Sequence, residues 1–320
     1  AANEALAADD ACLLPGAMHP WMDPAREAVL WERSDAAIYR AYDRLFDCAR
    51  HGWANVQSMH VNLPFANDDE FRRLHAAVRV VLPLIPALAA SSPLAGGADT
   101  GWRDYRLCVY ATNSERFPGI TGAVVPEPAA SRAAYERDVL HPMYAAIAPF
   151  DRDGVLQHEW LNARGAIPRF ARNAIEIRVT DVQECPRADV ALAKAIAVVV
   201  AALYRETWSP LAAQEALPTG ALASLLMRCA QAAEDAIVDD AAYLAVLGLS
   251  PAPCRAADVW RQLLAKVASD IQDAQEQETR AHILRHGTLA TRILRHTGAH
   301  PDRDRLREVY VELANCLHDG

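Results

Sequence analysis

Apolar and polar residues alternate in two short stretches of the chain, and in both the polar positions carry unusual chemistry. In Ala174-Ile175-Glu176-Ile177-Arg178-Val179-Thr180 the odd positions are all apolar and the even ones nearly all polar. A strand turns successive side chains to opposite faces, so Glu176, Arg178 and Thr180 are expected on one face. The stretch from Val56 to Leu63 repeats the pattern, with Met59, Val61 and Leu63 to one side and Ser58, His60 and Asn62 to the other.

A different period governs the rest. Phe71, Leu74, Val78, Val81, Leu82, Ile85 and Leu88 recur every three or four residues, which predicts a helix opened by Asp68 or Asp69 and kinked at Pro83 and Pro86. Residues 189–206 are almost wholly apolar and predict a buried helix. Residues 11–24 read as a short apolar strand and a proline-rich turn, 34–50 as a helix capped by Ser34, and 105–111 as a strand. The stretch 112–172 reads as long and irregular, helical only near 130–147. From 210 onward the pattern is helical, including 254–285 and 301–317. The expectation is an α+β fold, with an antiparallel sheet formed before residue 181 and helices after it. A single domain over 1–320 is the preferred division, with a separate helical portion over 209–320 as the alternative. Residues 1–10 read as the end of an Ala-rich helix with no start signal, so sequence is expected upstream.

Composition narrows the partners. The chain has 320 residues, with 32 Lys plus Arg against 41 Asp plus Glu and a formal net charge of −9. It therefore lacks the basic footprint of a nucleic-acid binder. Seven cysteines are dispersed without a CxxC or zinc spacing, as in a reducing cytoplasm. The longest apolar run, Ala195 to Leu203, is about half of what a membrane span needs. A soluble cytoplasmic protein is expected.

If the two polar rows share one sheet face, His60, Asn62, Glu176 and Arg178 converge as an imidazole, an amide, a carboxylate and a guanidinium. A carboxylate with an imidazole can hold Mg²⁺ or Mn²⁺, and the arginine fork suits a transferring phosphoryl group. The plainer reading is that antiparallel sheets often keep one face wet and alternate for that reason alone. The loop Ser91–Arg106 has paired glycines beside hydroxyls and Arg106, a candidate cradle for a carboxylate or phosphate, although it matches no P-loop. Glu159, Trp160, Arg164 and Arg169 are lid candidates, with a solvated loop as the plainer reading. His19, His75 and the pair His282 and His286 lack an HExxH context, and no GxSxG is present.

The strand SMHVNLPF at 58–65, the segment ALAASSPLAGGADTGWRDYR at 87–106, IPRFARNAIEIRVTDVQECP at 167–186 and RHGTLATRIL at 285–294 resemble, in order and spacing, the second family of glutamate–cysteine ligases, the bacterial carboxylate–amine ligases. The resemblance spans roughly residues 12–206 and continues more weakly to about 298. It implies a glutamine-synthetase-like antiparallel sheet with a concave polar face and helices packed on the other face. It also implies an ATP- and Mg²⁺-dependent ligase (or one using Mn²⁺) that joins a glutamate-like acid to an amine through an acyl phosphate. His60 and Glu176 then fall where the family places metal ligands, Asn62 beside that histidine, and Arg178 at the terminal phosphate. Arg106 and the Asp99–Gly101 turn border the amino-acid pocket. The family's opening strand of alternating glutamates, which supplies further metal ligands, has no counterpart here, so an N-terminally incomplete ligase domain is expected. A non-catalytic nucleotide- or amino-acid-binding relative is the alternative, and a metal-dependent hydrolase using His60 and Glu176 a third reading. A homodimer is a family-level expectation.

Overall fold

Why the two alternating stretches become strands is clear from what their apolar sides meet. In the computed structural model, which describes residues 2–271, 273–298 and 300–319, β1 (Ser58–Pro64), β4 (Ala166–Arg169) and β5 (Ala174–Asp181) form one antiparallel sheet in the order β1-β5-β4. Val61, Ile175 and Ile177 point into the main apolar core. Packed there are the helices Asp68–Val81 and Pro186–Tyr204, which also lie against each other. Strands β2 (Leu94–Ala95) and β3 (Ala98–Asp99) form a small hairpin, and β6 (Ile237–Val238) pairs with β7 (Cys254–Arg255).

The central strand is not wet on either side. Every residue of β5 except Arg178 is buried, so the alternation marks an enclosed polar row rather than a solvated face. The ladder also slips once. Asn62 faces Glu176 and Val61 faces Ile177, but Met59 faces Thr180 and Ser58 faces Asp181. Arg178 and Val179 together therefore oppose His60, which is a β-bulge. Cross-strand partners share a face, so beyond the bulge Thr180 joins Met59 on the core side and Asp181 joins Ser58 on the polar side. The expectation that Thr180 continues the row of Glu176 and Arg178 is corrected on this ground.

The helix at 68 begins as its sequence suggests, with a different cap. Asn67 accepts from the Glu70 N–H at 3.0 Å, and Glu70 in turn accepts from the Ala66 N–H at 2.7 Å, while Asp68, Asp69 and Glu70 lie at the positive end of the dipole. At Pro83 it tightens to a 3₁₀ turn, Leu82–Leu84, before the short helix Pro86–Ala89.

Four expectations need correction. Residues 105–111 form a helix, Tyr105–Thr112, because Asp104 accepts from the Leu107 N–H at 2.8 Å and caps it. The helix Ala36–Phe46 has no side-chain cap, and Ser34 uses its carbonyl to accept from Trp31 Nε1. Residues 11–24 contribute a single bridge, Met18 to Val56, rather than a strand. The helical run 254–285 is broken between Lys266 and Ala274. At the N-terminus the helix Ala2–Leu6 matches the Ala-rich pattern, and position 1 lies outside the described residues.

Candidate functional site

Glu176 sits at the centre of the polar row, 5% exposed, with two guanidinium groups and an imidazole around it. Arg169 Nη1 lies 3.4 Å from Oε2, Arg178 Nε 3.5 Å from Oε1 and His60 Nδ1 3.6 Å from Oε1. The register explains the meeting. Asn62 and Ile167 flank Glu176 from β1 and β4, and two residues further along each strand come His60 and Arg169. His60 Nε2 is 3.0 Å from Ser58 Oγ. Arg178 is fixed at its far end, where Nη1 donates to the Asn162 carbonyl at 3.1 Å. Burial first, and the Arg178 guanidinium second, hold the His60 imidazole below its ordinary pKa, which favours the neutral form that can ligate a metal.

A second cluster lies one step along the row. Arg106, in the first turn of its helix, donates through Nε to Asp181 Oδ1 at 2.5 Å. Asp181 is fully buried and also accepts from the Ser91 N–H and the Ser92 hydroxyl, each at 2.8 Å. Asp104 is buried beside this pair, and its carboxyl is pushed well above the usual carboxylate range by burial and then by the Asp181 charge. Ser91 and Ser92, read from the sequence as part of a ligand cradle, thus hold Asp181.

His60, Arg106 and Arg178 open onto a cavity of about 200 Å³ whose other walls include Tyr42, Trp53, Tyr110 and Trp160. Glu176 and Asn62 do not line it, and neither does the Asp99–Gly101 turn, where Asp99 accepts from the Gly101 N–H at 2.9 Å. Among the lid candidates, Trp160 lines the cavity and Arg169 reaches Glu176. Arg164 is buried and paired with Glu127 at 2.6 Å, so it is no part of a solvated loop.

The sequence reading missed three features. Arg169 was read only as a lid residue because Pro168 argues against a strand, yet β4 is an edge strand, where proline is tolerated. Asp181 was hidden by the bulge. The aromatic wall comes from segments more than a hundred residues apart and leaves no local signal.

Glu176 Oε1 and His60 Nδ1 are close enough for both to touch one ion at the usual ~2.1 Å. Among the described residues no group of three or more His, Cys, Asp or Glu is placed to hold a metal. The pair fits an ion that takes its remaining ligands from phosphate and water, as Mg²⁺ commonly does.

No described helix is long and apolar enough to cross a membrane. A protein of Archaeoglobus fulgidus, itself uncharacterised, is 41% identical over 196 residues, covering 61% of this chain and 52% of that protein. A protein of Pseudomonas putida, provisionally named glutamate–cysteine ligase 2, is 28% identical over 289 residues, 87% of this chain and 70% of its own length. One of the same provisional name from Bradyrhizobium sp. (strain ORS 278) is 30% identical over 181 residues, 55% of this chain and 38% of that protein. The chain thus spans about half the length of the first of these relatives and less of the third. The family model described as glutamate-cysteine ligase family 2 matches residues 1–312, nearly the whole chain, and the protein belongs to that family.

Proposed function

We propose that this chain carries the site of an ATP-dependent carboxylate–amine ligase that forms an amide through an acyl phosphate, within one domain over 1–320. The observation that carries this reading is the placement of Glu176 among His60, Arg169 and Arg178, two of which, His60 and Arg178, line the cavity. That arrangement supplies a metal-ligand pair and a phosphate-binding fork side by side. Membership of the ligase family supports it.

In the reaction a carboxylate oxygen of a glutamate-like acid attacks the γ-phosphorus of ATP, the bond to the bridging oxygen breaks, and ADP leaves. The amine nitrogen then attacks the acyl carbon, the carbon–oxygen bond to phosphate breaks, phosphate leaves with the bonding pair, and the nitrogen sheds a proton. Glu176 and His60 would hold Mg²⁺, which when bound supplies positive charge to the phosphate oxygens. Arg178 presents a planar fork whose orientation is fixed by Glu176 and the Asn162 carbonyl, so the charge spreading over the transferring group is met without reorganisation. Arg106 adds a second guanidinium at the cavity. The aromatic wall excludes water from an intermediate that water would destroy.

Calorimetric titration with a non-hydrolysable ATP analogue, with and without Mg²⁺, tests the site. Mg²⁺-dependent binding that disappears in Glu176→Ala is expected. Binding that needs no Mg²⁺, or is unchanged in the variant, rejects the assignment.

A further inference from the structure

Arg178 stands at the bulge, where the regular pleat no longer sets the direction of a side chain, and a long arginine side chain has many rotamers to choose from. Its aim is set from outside the strand, by the segment 162–165. The Arg178 N–H donates to the Gly165 carbonyl at 2.8 Å and Nη1 to the Asn162 carbonyl at 3.1 Å, so both ends of the residue rest on one short strap. The strap is anchored on its other side, where the Ala163 N–H donates to the Ile120 carbonyl at 2.8 Å and the Gly165 N–H to the Val124 carbonyl at 2.7 Å. Glycine at 165 permits the close approach, since a methyl there would lie 2.6 Å from the Val179 side chain.

Asn162 is 1% exposed, and both ends of its amide are engaged. Nδ2 donates to the Tyr135 hydroxyl at 2.6 Å, while Oδ1 accepts from the Arg164 N–H at 3.3 Å and from Arg164 Nη1 at 3.2 Å. Tyr135 is fully buried in the core, and Arg164 is clamped by Glu127 and by the Gly119 carbonyl. The side chain of Asn162 thus ties its own peptide to the core and fixes where the carbonyl points. Arg178 meanwhile keeps 23% of its side chain exposed and lines the cavity, so the guanidinium is held yet reachable. We propose that Asn162, which does not line the cavity, is a positioning residue for Arg178. It holds the guanidinium in place before the transferring phosphoryl group forms, when a charge that had to reorient would be worth less. The benefit to phosphoryl transfer rests on the ligase reading, and the two fail separately.

Nitrogen-15 NMR of the full chain without nucleotide would follow hydrogen exchange of the Arg178 Nε–H, assigned by its loss in Arg178→Lys. Exchange is expected to quicken about tenfold in Asn162→Ala, and by less in Tyr135→Phe, which removes one partner of the amide and keeps the ring. The Nε–H of Arg72, held by Glu215, should not change. Far-UV circular dichroism would show the variants folded, and Tyr135→Phe carries the test if Asn162→Ala does not fold. Calorimetry would then compare Mg²⁺ with ADP against the same mixture plus aluminium fluoride, a mimic of the transferring phosphoryl group. Asn162→Ala should weaken the fluoride complex about tenfold, change ADP alone less than about twofold, and add nothing to the loss in Arg178→Lys. Unchanged Nε–H exchange, equal losses with and without fluoride, or losses that add to that of Arg178→Lys overturn the proposal. Quickened exchange in a chain whose wild type binds no ADP with Mg²⁺ defeats the ligase reading instead and leaves Asn162 as the residue that aims Arg178.

Discussion

Replacing Asp181 by asparagine exchanges one oxygen for an amino group and removes one charge. In the structure Oδ2 accepts from the Ser91 N–H and the Ser92 hydroxyl, while Oδ1 accepts from Arg106 Nε. An amide offers one acceptor oxygen and one NH₂, so in either orientation a donor faces a donor. The Ser92 hydroxyl can turn away, but the Ser91 N–H cannot. Arg106, its side chain 5% exposed, then keeps a buried charge whose partner is neutral. Breaking a buried pair from one side costs about 3–5 kcal/mol. Asp104 also acts on Arg106 electrostatically and recovers part of this, so a loss near 3 kcal/mol is expected. For a chain of this size that is roughly a 5 °C fall in the unfolding midpoint. In guanidinium titrations the midpoint should drop while the slope stays constant. A loss below about 1 kcal/mol would refute the reasoning, because Arg106 would then have adequate compensation without Asp181.

Three further outcomes are expected. Arg178→Lys should lower kcat about tenfold or more while nucleotide affinity changes less than about threefold, because a point charge cannot meet Glu176, Asn162 and a phosphate together; equal losses in both would remove Arg178 from the transition state. Asp104 has its carboxyl pKa raised in the folded chain by burial and by Asp181, so the native state keeps that proton longer than the unfolded one. Its contribution therefore declines as pH rises from the ordinary carboxylate range through the folded pKa, by at most about 1.4 kcal/mol per pH unit. Asp104→Asn keeps the acceptor for Leu107, and denaturation followed across pH should show that slope flattened relative to wild type. Gly52→Ala should cost about 1–3 kcal/mol in thermal unfolding, since φ is +91° there and the new methyl would lie 2.7 Å from the Asn113 side chain; an unchanged midpoint contradicts this.

Much of the fold could be read because its main elements obey one period each. The strand at 174–181 and the helix Pro186–Tyr204 are largely buried, and the strand at 58–64 turns Met59, Val61 and Leu63 to the core; burial is what hydrophobic spacing records. Tyr105–Thr112 was misread because eight residues fit either period, and Asp104 decides the matter through one hydrogen bond to the Leu107 N–H. Two-residue spacing made Glu176 and Arg178 legible as one face of their strand and His60 and Asn62 as one face of theirs, and the pairing of the two strands brings His60 to Glu176. Arg169 and Asp181 depend on pairing register, which is a property of two strands at once. The wall of Tyr42, Trp53 and Trp160 depends on the helix Ala36–Phe46, the loop after it and the 3₁₀ turn Glu159–Leu161 converging, and has no expression in any single segment.

The bulge at Arg178 and Val179 bears on how this site can change over evolutionary time. Glu176 and Asp181 are five positions apart, an odd spacing that in a regular strand would send them to opposite faces; the extra residue is what reunites them. Removing Val179 would straighten the ladder and still leave Thr180 opposite Met59 and Asp181 opposite Ser58, because an interval of four also puts Glu176 and Asp181 on one face of a regular strand. A lineage can therefore keep this face with the bulge or with the bulge residue deleted, whereas smoothing the ladder without losing a residue would carry Asp181 to the core side. A search for distant relatives should accept a one-residue gap between 177 and 180 as compatible with the site.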